Sequence, residues 1–328
     1  MKKSKKICIT GGCGFIGSYL SEFLIQKGYQ VLVLDKYNIN NHYGWLENSK
    51  FRNEINFKLG DIRDYDYVEK VLGEVDSCVH LAALIGIPYS YVTPIAYLKT
   101  NLEGTYNVLQ ASLKKNVNKV IIASTSEVYG SAEYLPIDEK HPIKCQSPYS
   151  ASKASADQLS LSYYRSFGLP VKIVRPFNTY GPRQSLRAII PTLITQFLQN
   201  KKTIEVGNIK TERDFTYVED TISGIYEIFN NNQLFGEITN IGSGKSISIK
   251  KLINLLQEIF DRPNIKIKIN NSRIRPAKSE VSKLECDNSK ITKKTNWKPK
   301  VTLENGLKKT SSWLEDNIYL FKNNIYNI

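Results

Sequence analysis

The sequence predicts an α/β fold, a doubly wound parallel sheet with a smaller carboxyl-terminal α/β lobe. Three observations predict it. Short β-branched runs alternate with helical patterns through the first half of the 328 residues. Such alternation implies right-handed crossovers and a parallel sheet covered on both faces. A glycine-rich turn joins the first strand to the first helix. After about residue 177 the rhythm loosens, with Pro182, Pro263 and Pro276 in loops, as in a lobe packed on the carboxyl edge of the sheet.

The elements follow in order. Strands are expected over residues 6–10, 30–34, 56–59, 77–81, 119–124 and 171–175, and helices over 15–27, 65–72, 103–115 and 150–167. Residues 1–177 are expected to form the sheet domain and 178–328 the smaller lobe, with some chain exchanged between them. In that lobe the helical stretches are 191–200, 218–230, 249–260 and 303–318, mixed with short strands.

Composition excludes several classes. No run of eighteen apolar residues is present, so no membrane span is expected. The start, Met1-Lys2-Lys3-Ser4-Lys5-Lys6, is no signal peptide. Cysteines 8, 13, 78, 145 and 286 show no CxxC spacing and no histidine pairs nearby. Neither a disulfide framework nor a metal site is indicated, and a cytoplasmic setting is expected. The 45 Lys and Arg against 31 Asp and Glu leave a net charge of +14. The lysines form scattered pairs such as Lys114-Lys115 and Lys308-Lys309, without aromatic interleaving. That describes a solvated surface that helps capture a small anion, and no nucleic-acid groove.

"ICITGGCGFIGSYL" spaces Gly11, Gly14 and Gly17 between strand and helix. Glycines there let the backbone turn tightly and approach a pyrophosphate at the helix amino terminus, beside Phe15 and Ile16. The second strand ends in Asp35, 18 residues after Gly17, where a carboxylate binds ribose hydroxyls and repels a 2′-phosphate. "LGDIRD" places Asp61 and Ile62 just past strand three, within reach of an adenine amino group. NAD is the expected cofactor of this Rossmann-type domain. Further on, "PYSASKASADQL" carries Tyr149 and Lys153 four residues apart on one helix face. The lysine charge can lower the phenol's pKa and make it a base for an alcohol proton.

Together TGGxGxxG, Asp35, "HLAA" at 80–83, "NLEGTYNVLQA" at 101–111, Tyr149/Lys153 and "RPFNTYGPRQ" at 175–184 resemble an extended short-chain dehydrogenase/reductase, over almost the whole chain. The resemblance implies an NAD site that also draws on Leu81, Ala82, Ala83 and Asn101. It implies a nucleotide-diphosphate sugar held between the two lobes. Asn178, Arg187, Arg213 in "TERDFTYVED" and Arg275 in "RIRPAKSEV" would meet the substrate, two guanidiniums being suited to clamping a diphosphate. Asp214 or Glu280 could instead pair with those arginines. A homodimer through a four-helix interface, from helices 103–115 and 150–167 of each copy, is implied too. Their apolar residues Val108, Leu109, Leu113, Leu159, Leu161, Tyr163 and Tyr164 lie on more than one face.

Within "STSEVYG", residues 124–130, the carboxylate Glu127 separates two kinds of chemistry. C4-epimerases of this superfamily oxidise a sugar at C4 and return the hydride, and need no second base. A carboxylate beside C5 could remove the proton that a C4 ketone acidifies, after which the C6 hydroxyl leaves as water. Thr125-Ser126-Glu127 resembles the catalytic segment of sugar-nucleotide 4,6-dehydratases. Thymidine-diphosphoglucose dehydratases usually read Thr-Asp-Glu, so Ser126 is a departure, and protonated Glu127 would itself serve the leaving hydroxyl. The Thr-Ser-Glu version occurs in GDP-mannose 4,6-dehydratases and in UDP-glucuronate decarboxylases. Segments such as "AALIGIPYSYVTPIAYLKTN" and "RIRPAKSEVSKLECDN" look most like the N-acetylglucosamine-nucleotide 4,6-dehydratases of legionaminic acid biosynthesis, for a GDP- or UDP-linked sugar. That likeness puts Ile85, Pro88 and Ser90 near the N-acetyl group. Dinucleotide sensors of this fold commonly lack the tyrosine or the lysine; both are present here.

Overall fold

The computed structural model describes residues 5–321; residues 1–4 of the basic start, and 322–328 at the end of the expected second lobe, lie outside the described residues. Among the described residues the strands are β1 Lys6–Thr10, β2 Gln30–Asp35, β3 Asn56–Leu59, β4 Ser77–His80, β5 Lys119–Ala123, β6 Val171–Pro176, β7 Asn178–Tyr180, β8 Thr203–Val206, β9 Glu212–Tyr217, β10 Ile238–Ile241, β11 Ser246–Ser248, β12 Lys266–Ile269 and β13 Lys283–Leu284. The main sheet is seven-stranded and parallel, in the order β10-β6-β5-β4-β1-β2-β3. Its central strands are buried almost end to end, because helices cover both faces. The seventh strand, β10, comes from the second half of the chain and pairs with β6, Ile238 beside Ile173.

The helices are α1 Phe15–Gln26, α2 Tyr65–Leu72, α3 Ile87–Val92, α4 Pro94–Tyr97, α5 Gly104–Lys114, α6 Pro148–Phe167, α7 Ile189–Leu198, α8 Val218–Asn230, α9 Ile249–Ile259, α10 Ser289–Lys294 and α11 Leu303–Asn317. Between α4 and α5 the chain is wound as a π-helical turn, Leu98–Glu103, that the 3.6-residue rhythm does not reveal. In the second lobe β9 is central: β11 and β13 flank it, and β7 also pairs with it. One apolar cluster runs from sheet residues Ile9, Val33 and Ile121 to Ile194, Leu252 and Leu307 of the second lobe. Each such side chain contributes roughly 1.5–3 kcal/mol when fully buried, so the two lobes are stabilised by a shared core.

Topology locates the site. From β1 the chain moves to β2 on one side, and from β4 to β5 on the other. A crevice opens where that order reverses, outside the carboxyl ends of β1 and β4.

Candidate active site

The crevice floor is backbone. Gly11 has φ +71°, and a Cβ there would stand 2.8 Å from the Ala82 nitrogen, so only glycine fits. A Cβ at Gly17 would lie 2.1 Å from the Gly11 carbonyl oxygen. Gly14 is exposed at the start of α1, which has no side-chain cap. The first-turn N–H groups of Phe15, Ile16 and Gly17 therefore have no intrahelical partner and suit a pyrophosphate. At the end of β2, Asp35 accepts from the Cys13 N–H through Oδ2 and from the Lys36 N–H through Oδ1, both at 2.7 Å. Each oxygen keeps a second lone pair for a ribose hydroxyl. The residues fit a dinucleotide.

Other expected cofactor residues are held differently. Asp61 is gripped by Arg63 through Nε and Nη2 at 2.9 and 2.5 Å, which holds its carboxyl below the usual range. The Ile62 side chain is buried against Gly104, and its carbonyl accepts from Asn107. After β4, the Leu81 N–H bonds the Thr10 carbonyl and the Ala82 N–H bonds Thr10 Oγ1, which also meets His80 Nδ1 at 2.7 Å. Ala83 continues that loop. Asn101 corrects an expectation. It is fully buried in the π turn, with Oδ1 accepting from the Leu84 N–H and Nδ2 donating to the Leu84 carbonyl and Ser152 Oγ. All its polar atoms are occupied, so it fastens the loop to α6 instead of touching a cofactor.

The catalytic segment leaves β5 and winds into a 3₁₀ turn, Ser126–Tyr129, capped by Thr125, whose Oγ1 accepts from the Glu127 N–H at 3.2 Å. Gly130 ends it at φ +65°, where a Cβ would meet the Lys144 carbonyl at 2.0 Å. Ser126 is buried and Glu127 partly exposed. Opposite, Ser147 and Ser150 form a capping box and Pro148 takes the first helical position, so α6 begins with Tyr149 in its first turn. Thr125, Glu127 and Tyr149 come together. Burial and the Glu127 charge push the phenol's pKa up, and a hydrogen bond to Thr125 opposes them. The sequence expects this phenol to be lowered; burial instead raises it. Lys153 is almost wholly buried and, among the described residues, makes no hydrogen bond or ion pair. Burial pushes it down to about 8, against the pull of Asp157.

The second lobe supplies the facing wall. Arg213 and Arg275 converge on one carboxylate, Glu280, at 3.4 and 3.9 Å. Arg213 also feels the charge of Glu127. Asp214 does not pair with either arginine; its carboxylate accepts from the N–H groups of Ser243, Gly244 and Cys286. Asn178 Oδ1 is buried without a partner. Arg187 is exposed on the side of Tyr97, whose phenol its charge reaches. Ile85 is exposed and Pro88 half-buried. Ser90 is a further correction: it is fully buried and donates to the Ile87 carbonyl within its own turn, so it does not face a ligand.

Sequence reasoning missed three features. The Tyr97 ring stands edge-on to Tyr149, centroids 6.1 Å apart, with its hydroxyl anchored on the Ile85 and Gly86 carbonyls. Tyr91, Ser279 and the Gln146 carbonyl form a hydroxyl chain between α3, the Arg275 loop and the start of α6. Asp157 and Arg175 pair behind the catalytic segment. None of these carries a local signal, because each joins residues distant in the chain. Among the described residues no cluster could hold a metal ion, and no helix is long and apolar enough to cross a membrane.

The family model described as GDP-mannose 4,6 dehydratase matches residues 8–310. The chain belongs to that family. A putative UDP-glucose 4-epimerase of Methanocaldococcus jannaschii is 33% identical over 95% of this chain and 99% of its own. The dTDP-glucose 4,6-dehydratase of Streptomyces venezuelae, solved with NAD bound, is 29% identical, with a TM-score of 0.89 over 97% of this chain and 99% of its own. An NAD-dependent NDP-hexosamine 5,6-dehydratase involved in tunicamycin biosynthesis is 29% identical, with a TM-score of 0.82 over 94% and 97%. The protein is thus an enzyme of the NAD-dependent sugar-nucleotide dehydratase and epimerase group, built on the extended short-chain dehydrogenase/reductase fold.

Proposed function

We propose that this protein is a sugar-nucleotide 4,6-dehydratase that converts GDP- or UDP-N-acetylglucosamine to the 4-keto-6-deoxy sugar, as in legionaminic acid biosynthesis. One observation carries the reading: the charge of a carboxylate, Glu127, reaches the Tyr149 phenol, where an epimerase needs none. NAD in the glycine cradle supplies acceptance of a hydride from C4 and its return to C6. Tyr149 takes the C4 hydroxyl proton, with Thr125 steadying the phenolate by a hydrogen bond and Lys153 supplying positive charge. Glu127 then removes the C5 proton that the C4 ketone acidifies. The same carboxyl delivers that proton to the departing C6 hydroxyl, which leaves as water, and C5 regains a proton from solvent when the saturated product forms; buried Ser126 is too weak an acid for the elimination. Arg213 and Arg275 hold the diphosphate, with Asn178 and Arg187 beside them, and Ile85 and Pro88 border the sugar. The likeness to a hexosamine dehydratase supports an amino sugar and elimination across C5 and C6.

The test is product mass and structure over GDP-, UDP- and dTDP-linked glucose and N-acetylglucosamine. Loss of one water with a 4-keto group is expected. Loss of carbon dioxide from UDP-glucuronate would make the protein a decarboxylase, and an unchanged mass with inverted C4 an epimerase.

The homodimer belongs to the same reading, with a narrower face than the sequence suggested. Val108, Leu109, Leu161 and Tyr163 are already buried within one copy. Exposed Tyr106, Tyr164 and Phe167 remain for a second α5–α6 pair. Light scattering at micromolar concentration is expected to give twice the chain mass.

A further inference from the structure

Behind the catalytic segment lies a charge that the reaction above does not use. Asp157, one helical turn beyond Lys153 on α6, is fully buried. Its Oδ2 accepts from Arg175 Nε and Nη2 at 3.0 and 2.8 Å, and from Ser124 Oγ at 2.7 Å. Its Oδ1 is buried with no partner. Ser124 immediately precedes Thr125, so the carboxylate is tied to the strand end that delivers the catalytic turn. Arg175 lies over the Tyr129 ring at 4.8 Å, and Tyr129 donates to Asn240 on β10 at 2.8 Å. The network therefore joins β5, β6, α6, the catalytic turn and the last strand of the sheet.

A buried ion pair is weak evidence of stability, since desolvation offsets much of its attraction. Something other than stability accounts better for a carboxylate with three bonds on one oxygen and none on the other.

We propose that Asp157 is a positioning residue: anchored by Arg175, its carboxylate holds the strand end carrying Thr125 and sets a buried negative charge one helical turn from the Lys153 ammonium, for proton removal at Tyr149. The proposal rests on the reading of Tyr149 and Lys153 as the first-step pair, and not on the identity of the sugar. The charged and titratable groups around it are few. Asp157 faces Arg175 from β6 and Lys153 from its own helix, and its charge reaches Tyr149 and Cys145. The charge of Lys153 is felt by Asp157 and by buried His80. Asp157 favours the charged lysine while burial disfavours it, so removing the carboxylate leaves the lysine neutral at a lower pH.

The experiment follows Lys153 itself by ¹³Cε-lysine NMR on the protein without substrate, its signal assigned by loss in Lys153→Met. In the parent the midpoint is expected near 8. Asp157→Asn keeps the shape and removes the charge; the midpoint should fall by about one unit. The alkaline limb of single-turnover C4 oxidation should move down by the same amount. Ser124→Ala leaves the carboxylate charged on Arg175, so it should slow turnover about tenfold while the lysine midpoint stays put. Should Asp157→Asn not fold, Asp157→Asn with Arg175→Met removes the orphaned charge as well, and the downward shift should persist. An unmoved Lys153 midpoint in a folded variant, or a rate lowered equally at every pH, would overturn the proposal. Because the titration needs no sugar nucleotide, failure of the dehydratase reading would be seen separately.

Discussion

The two walls of the crevice are built on different principles. The sheet wall presents backbone: Gly11, Gly14 and Gly17 bring main chain and uncapped helix N–H groups to the surface. The second-lobe wall uses long side chains from separate segments, Arg213 from β9 and Arg275 from the loop before β13, meeting on Glu280. Backbone recognition is local and tolerates no Cβ. A side-chain wall can be altered residue by residue without disturbing the sheet. Damage to one wall should therefore leave the other's ligand largely unaffected, and the catalytic segment between them should need both.

The largest effects are expected at that segment. Glu127→Gln keeps shape and hydrogen bonding but cannot take a proton. Elimination should fall a hundredfold or more, ~3 kcal/mol of barrier, while C4 oxidation survives. A single turnover should then leave reduced-nicotinamide absorbance and a 4-keto sugar that retains its C6 hydroxyl. Solvent deuterium should enter C5 in the parent and scarcely in the variant. Tyr149→Phe should block the first step and leave the cofactor oxidised. Full dehydratase activity in Glu127→Gln would return this carboxylate to a structural role.

Next come the arginines. Arg213→Met removes a buried guanidinium from the substrate wall and leaves Glu280 with only Arg275. Sugar-nucleotide affinity should fall roughly a hundredfold, within the about 2–5 kcal/mol typical of breaking a buried charged contact. NAD affinity, by calorimetry, should change little. Arg275→Met, at a more exposed side chain, should cost about tenfold. An equal loss of NAD affinity would merge the two walls into one.

The same division explains what the sequence reveals. Glycine spacing, the strand-end Asp35 and the Tyr149/Lys153 interval are local patterns, and local patterns survive in one dimension. The six strands of the first half were legible for that reason, with ends displaced by a residue or so. The π turn was not legible, and with it went the role of Asn101, whose hydrogen bonds reach Leu84 and Ser152. Ser90 was misjudged because a short loop sequence does not say which side chains turn inward. Lys153 was expected to lower Tyr149 from their spacing and their place after the catalytic strand, whereas burial raises the phenol and lowers the lysine.

A smaller effect is expected at Asp35. Asp35→Ala removes the acceptor of the Cys13 and Lys36 N–H groups as well as the proposed ribose contact. NAD should bind about tenfold more weakly and the preference over NADP should relax, read from the two dissociation constants. Sugar-nucleotide affinity should hold. An unchanged ratio would mean that Asp35 only ties the glycine turn to β2.

The smallest prediction concerns the seam between the lobes. Lys172, on β6, is fully buried, and its ammonium donates to the Ile228 and Phe229 carbonyls at the end of α8, 2.9 Å each, and lies over the Phe235 ring at 4.4 Å. Burial lowers it to about 7, with Lys119 adding repulsion, although the helix end attracts a cation. The sign follows from proton binding. Between about 7 and the ordinary lysine value near ~10.4 the unfolded chain holds more protons, so this group makes the protein more stable as pH rises. Below about 7 both states are protonated and its contribution is flat. Lys172→Met loses two hydrogen bonds but also the buried charge. Its stability relative to the parent should therefore be best at pH 6.5 and worsen by roughly 2–3 kcal/mol by pH 9, read from denaturant midpoints. A constant difference across that range would mean that Lys172 keeps its proton throughout, held by the end of α8.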